Sequence, residues 1–327
     1  MRHTPRECRA PIAVGCAAIA VLIRCRHGVE TVVARSYADR LNRVFDYVDQ
    51  NLGEDLTLEG LADVACLSKF HFGRVFQACT GETLFQFIRR LRLERAASLL
   101  LARPSEPVTG IGLACGFDNP SAFTRSFRGH FGVSPTGWRN GNRCSSPGYE
   151  RPNQTLMIRD QLVSEPTVAV IPLPETPVAY VRHVGPFAAD PDLFERLYTR
   201  LFRWATPRGL VDYPLVTFCI YHDSPGITSD EQLRLSVGLP IPSSVETAGE
   251  VGRLCLAGGT YAVATVELGP AEFAAAWTWV LGRWLPESGY EPDDRPAFER
   301  YTAPTEAAMH SERQLIDICV PVRPADV

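Results

Sequence analysis

One segment of this chain is written twice. Phe72, Arg74, Phe76 and Gly81 recur as Phe123, Arg125, Phe127 and Gly132, each 51 residues further on. Upstream, Leu61 and Ala62 recur as Ile111 and Gly112 at an offset of 50, so the second copy carries one more residue in its turn. A repeat that keeps apolar and basic positions together at helical spacing restricts the fold strongly. Each copy must be one helical unit, with its phenylalanines turned to a core and its arginine outward.

The residues between these anchors complete the pattern. Leu41, Val44, Phe45 and Val48 form a buried stripe on a first helix that starts near Ser36 and ends at Gly53. Thr57 is an N-cap for a short helix reaching Val64. Ser68 caps a second helix from Lys69 to Cys79, which Gly81 terminates. A long helix from about Leu84 to Leu101 follows, with Arg89, Arg90, Arg92 and Arg95 expected on its polar face. The pattern then returns. A short helix covers Thr109 to Cys115, Gly116 makes a turn, and Asn119 caps a helix that has Pro120 at its first position. Short helix, tight turn, second helix is the helix-turn-helix signature.

Charge separates the two halves. Residues 1–144 carry 19 Arg/Lys against 13 Asp/Glu, and the remainder carries 14 against 24. The first half can meet a polyanion, and the second is unsuited to it. The 327 residues are too many for one typical core. The 10 cysteines show neither a CxxC pair nor zinc spacing, which fits a reducing compartment. No cofactor or metal is expected.

Here the residues resemble a known family. Ala114-Cys-Gly-Phe117, Phe123-Thr-Arg-Ser-Phe127, Phe131-Gly-Val-Ser-Pro135 and the closing Arg139 look like the DNA-binding domain of AraC/XylS transcription regulators. The resemblance implies two recognition helices in successive major grooves of double-stranded DNA. A spacer helix of about 18 residues is roughly 27 Å long, which suits groove segments about 34 Å apart. By the resemblance, the first recognition helix presents Lys69, Phe70, Gly73 and Arg74, and the second Pro120, Ser121, Thr124 and Arg125. Arg74 and Arg125 are the best candidates for bidentate bonds to guanine. His71, Arg89, Arg90 and Arg92 are candidates for phosphate contacts. Gly73 stands where such proteins often carry a polar side chain. Gly112 replaces a usual alanine, which is expected to weaken its short helix slightly.

Beyond a Gly-, Ser-, Pro- and Asn-rich stretch the pattern becomes mixed. Strands are expected at Thr167–Leu173, Val178–His183, Thr217–Tyr221 and Leu233–Val237, with a helix from Leu193 to Ala205. The order then recurs, with strands at Tyr261–Glu267, Phe298–Thr302 and Ile316–Cys319 around a helix from Phe273 to Leu285. Gly185-Pro186 returns as Gly269-Pro270 at an offset of 84, and Tyr221 as Tyr301 at 80. His183-Val-Gly-Pro-Phe187, Gly258-Gly-Thr-Tyr261, Trp284-Leu-Pro-Glu-Ser-Gly-Tyr290 and Pro296-Ala-Phe-Glu-Arg-Tyr301 resemble the gyrase-inhibitor-like (GyrI-like) domain. That resemblance implies a cleft between the repeats for small lipophilic or cationic molecules. Some members hydrolyse unusual substrates, so an enzyme reading stands as an alternative, as does a ligand-free protein-interaction module. Glu299 is the residue singled out. On a strand it shares a face with Tyr301, away from Phe298. A carboxylate among aromatic rings suits a cation. Tyr180, Phe218, Tyr261 and Trp277 are further candidate wall residues. No catalytic triad is visible, and Glu299 is the residue an enzyme would use.

The expected organisation is multidomain. Residues 1–35 are an extension, 36–139 an all-α domain with two helix-turn-helix units, 140–165 a linker, and 166–323 an α+β domain of two duplicated strand-helix-strand-strand units. The apolar run Ile12–Ile23 is too short to span a bilayer and resembles a signal-peptide core. The DNA-binding reading instead requires a cytoplasmic protein without a membrane partner. Its expected partners are DNA, a small effector and, as a further candidate, RNA polymerase.

Overall fold

The computed structural model describes residues 32–141, 162, 164–187, 190, 192–305 and 313–325. The apolar run at 12–23 and most of the 140–165 segment lie outside the described residues.

The N-terminal region is all-α. Its helices are α1 (Val32–Gln50), α2 (Leu58–Val64), α3 (Lys69–Thr80), α4 (Leu84–Ala102), α5 (Val108–Ala114), α6 (Pro120–Phe131) and α7 (Pro135–Arg139). Their ends follow from local chemistry. The Ser68 hydroxyl accepts from the His71 amide, and the Asn119 side chain from the Ala122 amide. Thr83 and Gln86 form a reciprocal capping box at the start of α4. Gly81 and Gly132 end α3 and α6 at φ 77° and 76°, a left-handed conformation that glycine adopts without penalty.

Two cores share the spacer helix α4. Phe72, Phe76, Phe87 and Leu91 pack with Leu41, Val44, Phe45 and Val48 of α1. Phe123, Phe127 and Phe131 pack with Leu93, Ala96, Ala97, Leu100 and Trp138. The polar face expected on α4 is mostly absent. Arg90 is buried between Glu82 and Glu94. Arg92 donates to the carbonyls of Leu52 (2.9 Å), Gly116 (2.8 Å) and Glu54 (2.5 Å). It therefore ties the end of the α1 region to the α5–α6 turn. Gly112 is also not a simple weakening. A Cβ there would lie 2.7 Å from the Phe123 ring, so the close approach of α5 to α6 requires glycine.

The C-terminal region is one sheet with helices on one face. Its elements are β1 (Thr167–Leu173), β2 (Thr176–Val184), α8 (Leu193–Ala205), β3 (Leu215–Tyr221), β4 (Arg234–Pro240), β5 (Val251–Leu256), β6 (Gly259–Leu268), α9 (Phe273–Trp279), α10 (Leu285–Glu287), β7 (Tyr290–Pro292), β8 (Phe298–Ala303) and β9 (Gln314–Pro324). The helix expected from Phe273 to Leu285 is interrupted by a π turn at Val280–Trp284, next to Pro286, which has no N–H to offer an α turn. Strand order is β1-β6-β9-β8-β3-β4-β2-β5, with β7 beside β9. The first repeat holds β1 to β4 and the second β5, β6, β8 and β9. Each repeat's first strand pairs in the other's half, β1 on β6 and β5 on β2.

The sheet has two differently covered faces. Ala179, Val181, Cys219 and Leu235 meet α8, while Ala264, Val266, Ile316 and Ile318 meet α9 and its continuation. On the opposite face Val178, Tyr180, Phe218, Tyr261, Val263 and Phe298 form a separate cluster. The helical region lies against that second face. Tyr180 donates to Asp46 Oδ2 (2.6 Å) and Arg182 to Asp46 Oδ1 (2.7 Å). The Tyr180 ring fits because its ladder partner is Gly252, where a Cβ would lie 2.4 Å from Tyr180 Cζ.

Candidate functional site

The central ladder of the sheet sets the site. β3 pairs with β8 so that Thr217 faces Tyr301 and Cys219 faces Glu299. Strand alternation puts Thr217, Cys219, Tyr221, Glu299 and Tyr301 on the helix-covered face. Between the two helices that face stays open, and the cleft belongs to a continuous cavity of about 2580 Å³. Phe187, Phe194, Tyr198, Phe202, Tyr221, Trp277 and Tyr301 supply its aromatic walls. Tyr221 stands edge-on to Trp277, with ring centroids 5.5 Å apart.

Glu299 lies at the floor and is 1% exposed. Trp277 Nε1 donates to its Oε1 at 2.6 Å, and the Tyr301 hydroxyl to its Oε2 at 2.6 Å. The Tyr221 hydroxyl lies beside this carboxyl. Burial raises the carboxyl above its ordinary range, and the hydrogen bonds from Tyr301 and Trp277, with Tyr221 nearby, pull it back in part. Tyr301 and Tyr221 are themselves held far above their usual values, mainly by burial and then by nearby acidic groups, so both remain donors. No cationic side chain bonds to Glu299 among the described residues. The floor thus offers a buried carboxyl group among aromatic side chains, which suits a cation that brings its own apolar surface.

Of the expected wall residues, Glu299, Tyr301 and Trp277 meet in this cleft. Tyr180, Phe218 and Tyr261 do not. All three sit on the opposite face of the sheet, Tyr180 against the helical region and the other two around Phe298. Strand parity is the reason: Phe218 is one residue from Cys219, so its side chain points away. Tyr221, Tyr198 and Phe194 line the cleft and were not singled out as wall residues. The signal for Tyr221 was its position two residues beyond Cys219, on the same face.

The second candidate surface lies on α3 and α6. Lys69, Phe70, His71, Arg74, Pro120, Ser121, Thr124 and Arg125 are all exposed, and Gly73 is half-buried. Phe70 is 75% exposed, an unusual position for a large apolar ring. Arg74 and Arg125 have no hydrogen-bond or ion-pair partner among the described residues. Lys69 pairs with Glu59 at 3.2 Å in the open. A Cβ at Gly73 would meet only Leu58, at 4.0 Å, so no close packing demands glycine there. The phosphate-contact candidates divide. Arg89 is exposed. His71 is exposed and bonded to the Tyr37 hydroxyl at 2.7 Å. Arg90 and Arg92 are committed to Glu82, Glu94 and backbone carbonyls, because the helix carrying them is enclosed by both cores. Arg95 is taken by Asp294 of the C-terminal region.

No described helix is long and apolar enough to cross a membrane. Comparison with known proteins matches residues 166–323 to the GyrI-like small molecule binding domain and residues 61–141 to a helix-turn-helix domain. The chain is 35% identical over 161 residues to a DNA gyrase inhibitor of Edwardsiella piscicida, covering 48% of this chain and 97% of that protein. It is 30% identical over 112 residues to the multiple antibiotic resistance protein MarA of Escherichia coli, covering 34% and 87%. A solved transcriptional regulator with an AraC-type DNA-binding domain from Chromobacterium violaceum is 29% identical, with TM-score 0.30, covering 33% of this chain and 95% of that one. The matched C-terminal family is a small-molecule-binding domain. The chain therefore belongs to the GyrI-like small-molecule-binding family through residues 166–323, fused to an N-terminal helix-turn-helix domain.

Proposed function

We propose that this protein is a sequence-specific DNA-binding transcription regulator, controlled by a small lipophilic cation in the cleft over Glu299. The observation that carries the reading is the pair of open arginines, Arg74 on α3 and Arg125 on α6, at matched repeat positions on the surface the C-terminal region leaves uncovered. In this reading α2–α3 and α5–α6 are the two helix-turn-helix units, and α4 spaces them. At 19 residues α4 is about 28 Å long, which suits adjacent major-groove segments. Arg74 reads one half of the site. Ser121, Thr124 and Arg125 read more bases in the other half, since Gly73 offers no side chain where Thr124 does.

The open cleft favours a ligand over the ligand-free interaction module. The buried Glu299 carboxyl at its floor favours a cation. The test is operator binding by Arg125→Ala. The variant should lose about 1–3 kcal/mol at one base pair and relax specificity there. Unchanged binding at every position would overturn the register assigned to α6.

A further inference from the structure

We propose that the β3–β4 loop, residues 222–233, transmits occupancy of the cleft to both helix-turn-helix units of the N-terminal domain. The inference rests on the cleft and DNA-binding readings above and adds the route between them.

The loop begins inside the cleft. Tyr221 lines it beside Glu299 and stands edge-on to Trp277. The next residue points to the other face of the sheet. His222 Nε2 shares a hydrogen bond with Ser236 Oγ (2.9 Å) and faces Arg182, and its Nδ1 lies 3.8 Å from Asp49 on α1. Burial, with Arg182 and Arg234 beside it, holds this imidazole well below its usual pKa, so it is neutral and only packs against Asp49. One peptide step therefore passes from ligand wall to domain interface.

The rest of the loop holds both helical units. Asp223 accepts from the Arg234 guanidinium through Nε (2.9 Å) and Nη2 (2.7 Å), and Arg234 Nη1 reaches Asp49 Oδ1 at 3.0 Å. That is a tie to α1, which shares one core with the first unit. Ile227 packs into the core that contains Leu93, Phe123 and Trp138, which is the tie to the second. Thr228 is buried beside the Glu94 carboxyl on the spacer helix. The far end returns to the cleft, where the Gly185 amide donates to Leu233 O at 2.8 Å, two residues before Phe187.

The loop is also stiff. The Ile227 and Thr228 amides both donate to Ser224 O, at 3.0 and 3.1 Å. A short helical turn at Asp230–Gln232 closes its second half. A stiff segment anchored at both ends in the cleft passes a displacement on instead of absorbing it. Because its two outer ties land on different units, a shift of the loop changes the set of α3 relative to α6. A ligand gains control of DNA binding only through such a difference between states.

The experiment uses the full chain, a duplex selected by that chain from randomised DNA, and tetraphenylphosphonium as the probe cation. Probe binding is followed by calorimetry and DNA affinity by anisotropy, for the wild type, Ile227→Ala and Thr228→Val. In the wild type the probe binds and changes DNA affinity at least fivefold. In both variants probe binding stays within twofold of wild type, while the change in DNA affinity falls below twofold. A full wild-type response in both variants overturns the route and leaves the ligand reading standing. Probe binding without any change in wild-type DNA affinity also overturns the route. Absence of saturable heat in the wild type overturns the cation reading, and the route with it.

Discussion

Cys219 and Glu299 face each other in the β3–β8 ladder, and each is the other's counterpart in the duplication. The offset of 80 that relates Tyr221 to Tyr301 also relates Cys219 to Glu299. The local two-fold relation between the repeats therefore passes between these two residues. Directly opposed side chains lie about 4.5–5.5 Å apart at Cβ, so like charges there repel. Only one repeat can put a carboxylate at this point, and the other supplies a small neutral thiol. Burial and then the nearby Glu299 keep that thiol protonated, its pKa well above the ordinary value.

Glu299→Gln should weaken binding of a lipophilic cation by about 3 kcal/mol, roughly 100-fold, since it removes the ionisable group at the cleft floor. The wild type should also lose affinity on acidification. Its raised carboxyl takes up a proton above the ordinary carboxylate range, and the neutral acid no longer attracts a cation. Titration calorimetry across pH should show that fall for wild type and a flat profile for the variant.

Arg92→Ala should destabilise the N-terminal domain by about 3 kcal/mol, because one guanidinium serves three carbonyls on two separate segments. The salt dependence of DNA binding should keep its slope, since Arg92 neutralises no phosphate in this arrangement. Denaturant unfolding and a salt titration check the two halves of this prediction.

Gly112→Ala should also destabilise. Helix propensity alone favours alanine by about 1 kcal/mol. The added Cβ would meet Phe123, which is fully buried and held by Phe117 and Phe127. Overpacking of that kind costs about 1–3 kcal/mol. A higher melting temperature for the variant would refute the close approach of α5 to α6.

Glu94→Gln should flatten the pH dependence of stability. Burial, offset only partly by Arg90, pushes the Glu94 carboxyl up from 4.5 to about 7. A group that binds its proton more tightly when folded contributes fully below its unfolded pKa. That contribution is lost as pH rises through the folded value. Between about pH 4.5 and pH 8 the wild type should therefore lose on the order of 3 kcal/mol relative to the variant. Urea unfolding at a series of pH values measures the difference.

Much of this architecture is legible in the chain because repeats and caps are local signals. Ser68, Asn119, Gly81 and Gly132 mark helix ends through bonds to residues three or four away. Alternation alone puts Glu299 and Tyr301 on one face. What is illegible depends on partners far along the chain. Arg90, Arg92 and Arg95 read as a solvated basic face, yet their partners range from Leu52 to Asp294. The Asp46–Arg182 and Asp49–Arg234 pairs join different domains, and no spacing rule links them. Tyr180, Phe218 and Tyr261 carry the right chemistry for a cleft wall, but their strand parity turns them to the other face.

The exchange of β1 and β5 between the two halves of the sheet bears on how such a chain can be cut or inherited. A piece ending after β4 would keep β1 without β6 to lie on, and β2 without β5. Its edges would be open to the same edges of another molecule. Two such pieces restore every lost pairing by trading arms. The single-chain domain is in this sense a dimer with its subunits joined end to end. Once joined, the two halves can differ on the axis itself, where one carries Cys219 and the other Glu299.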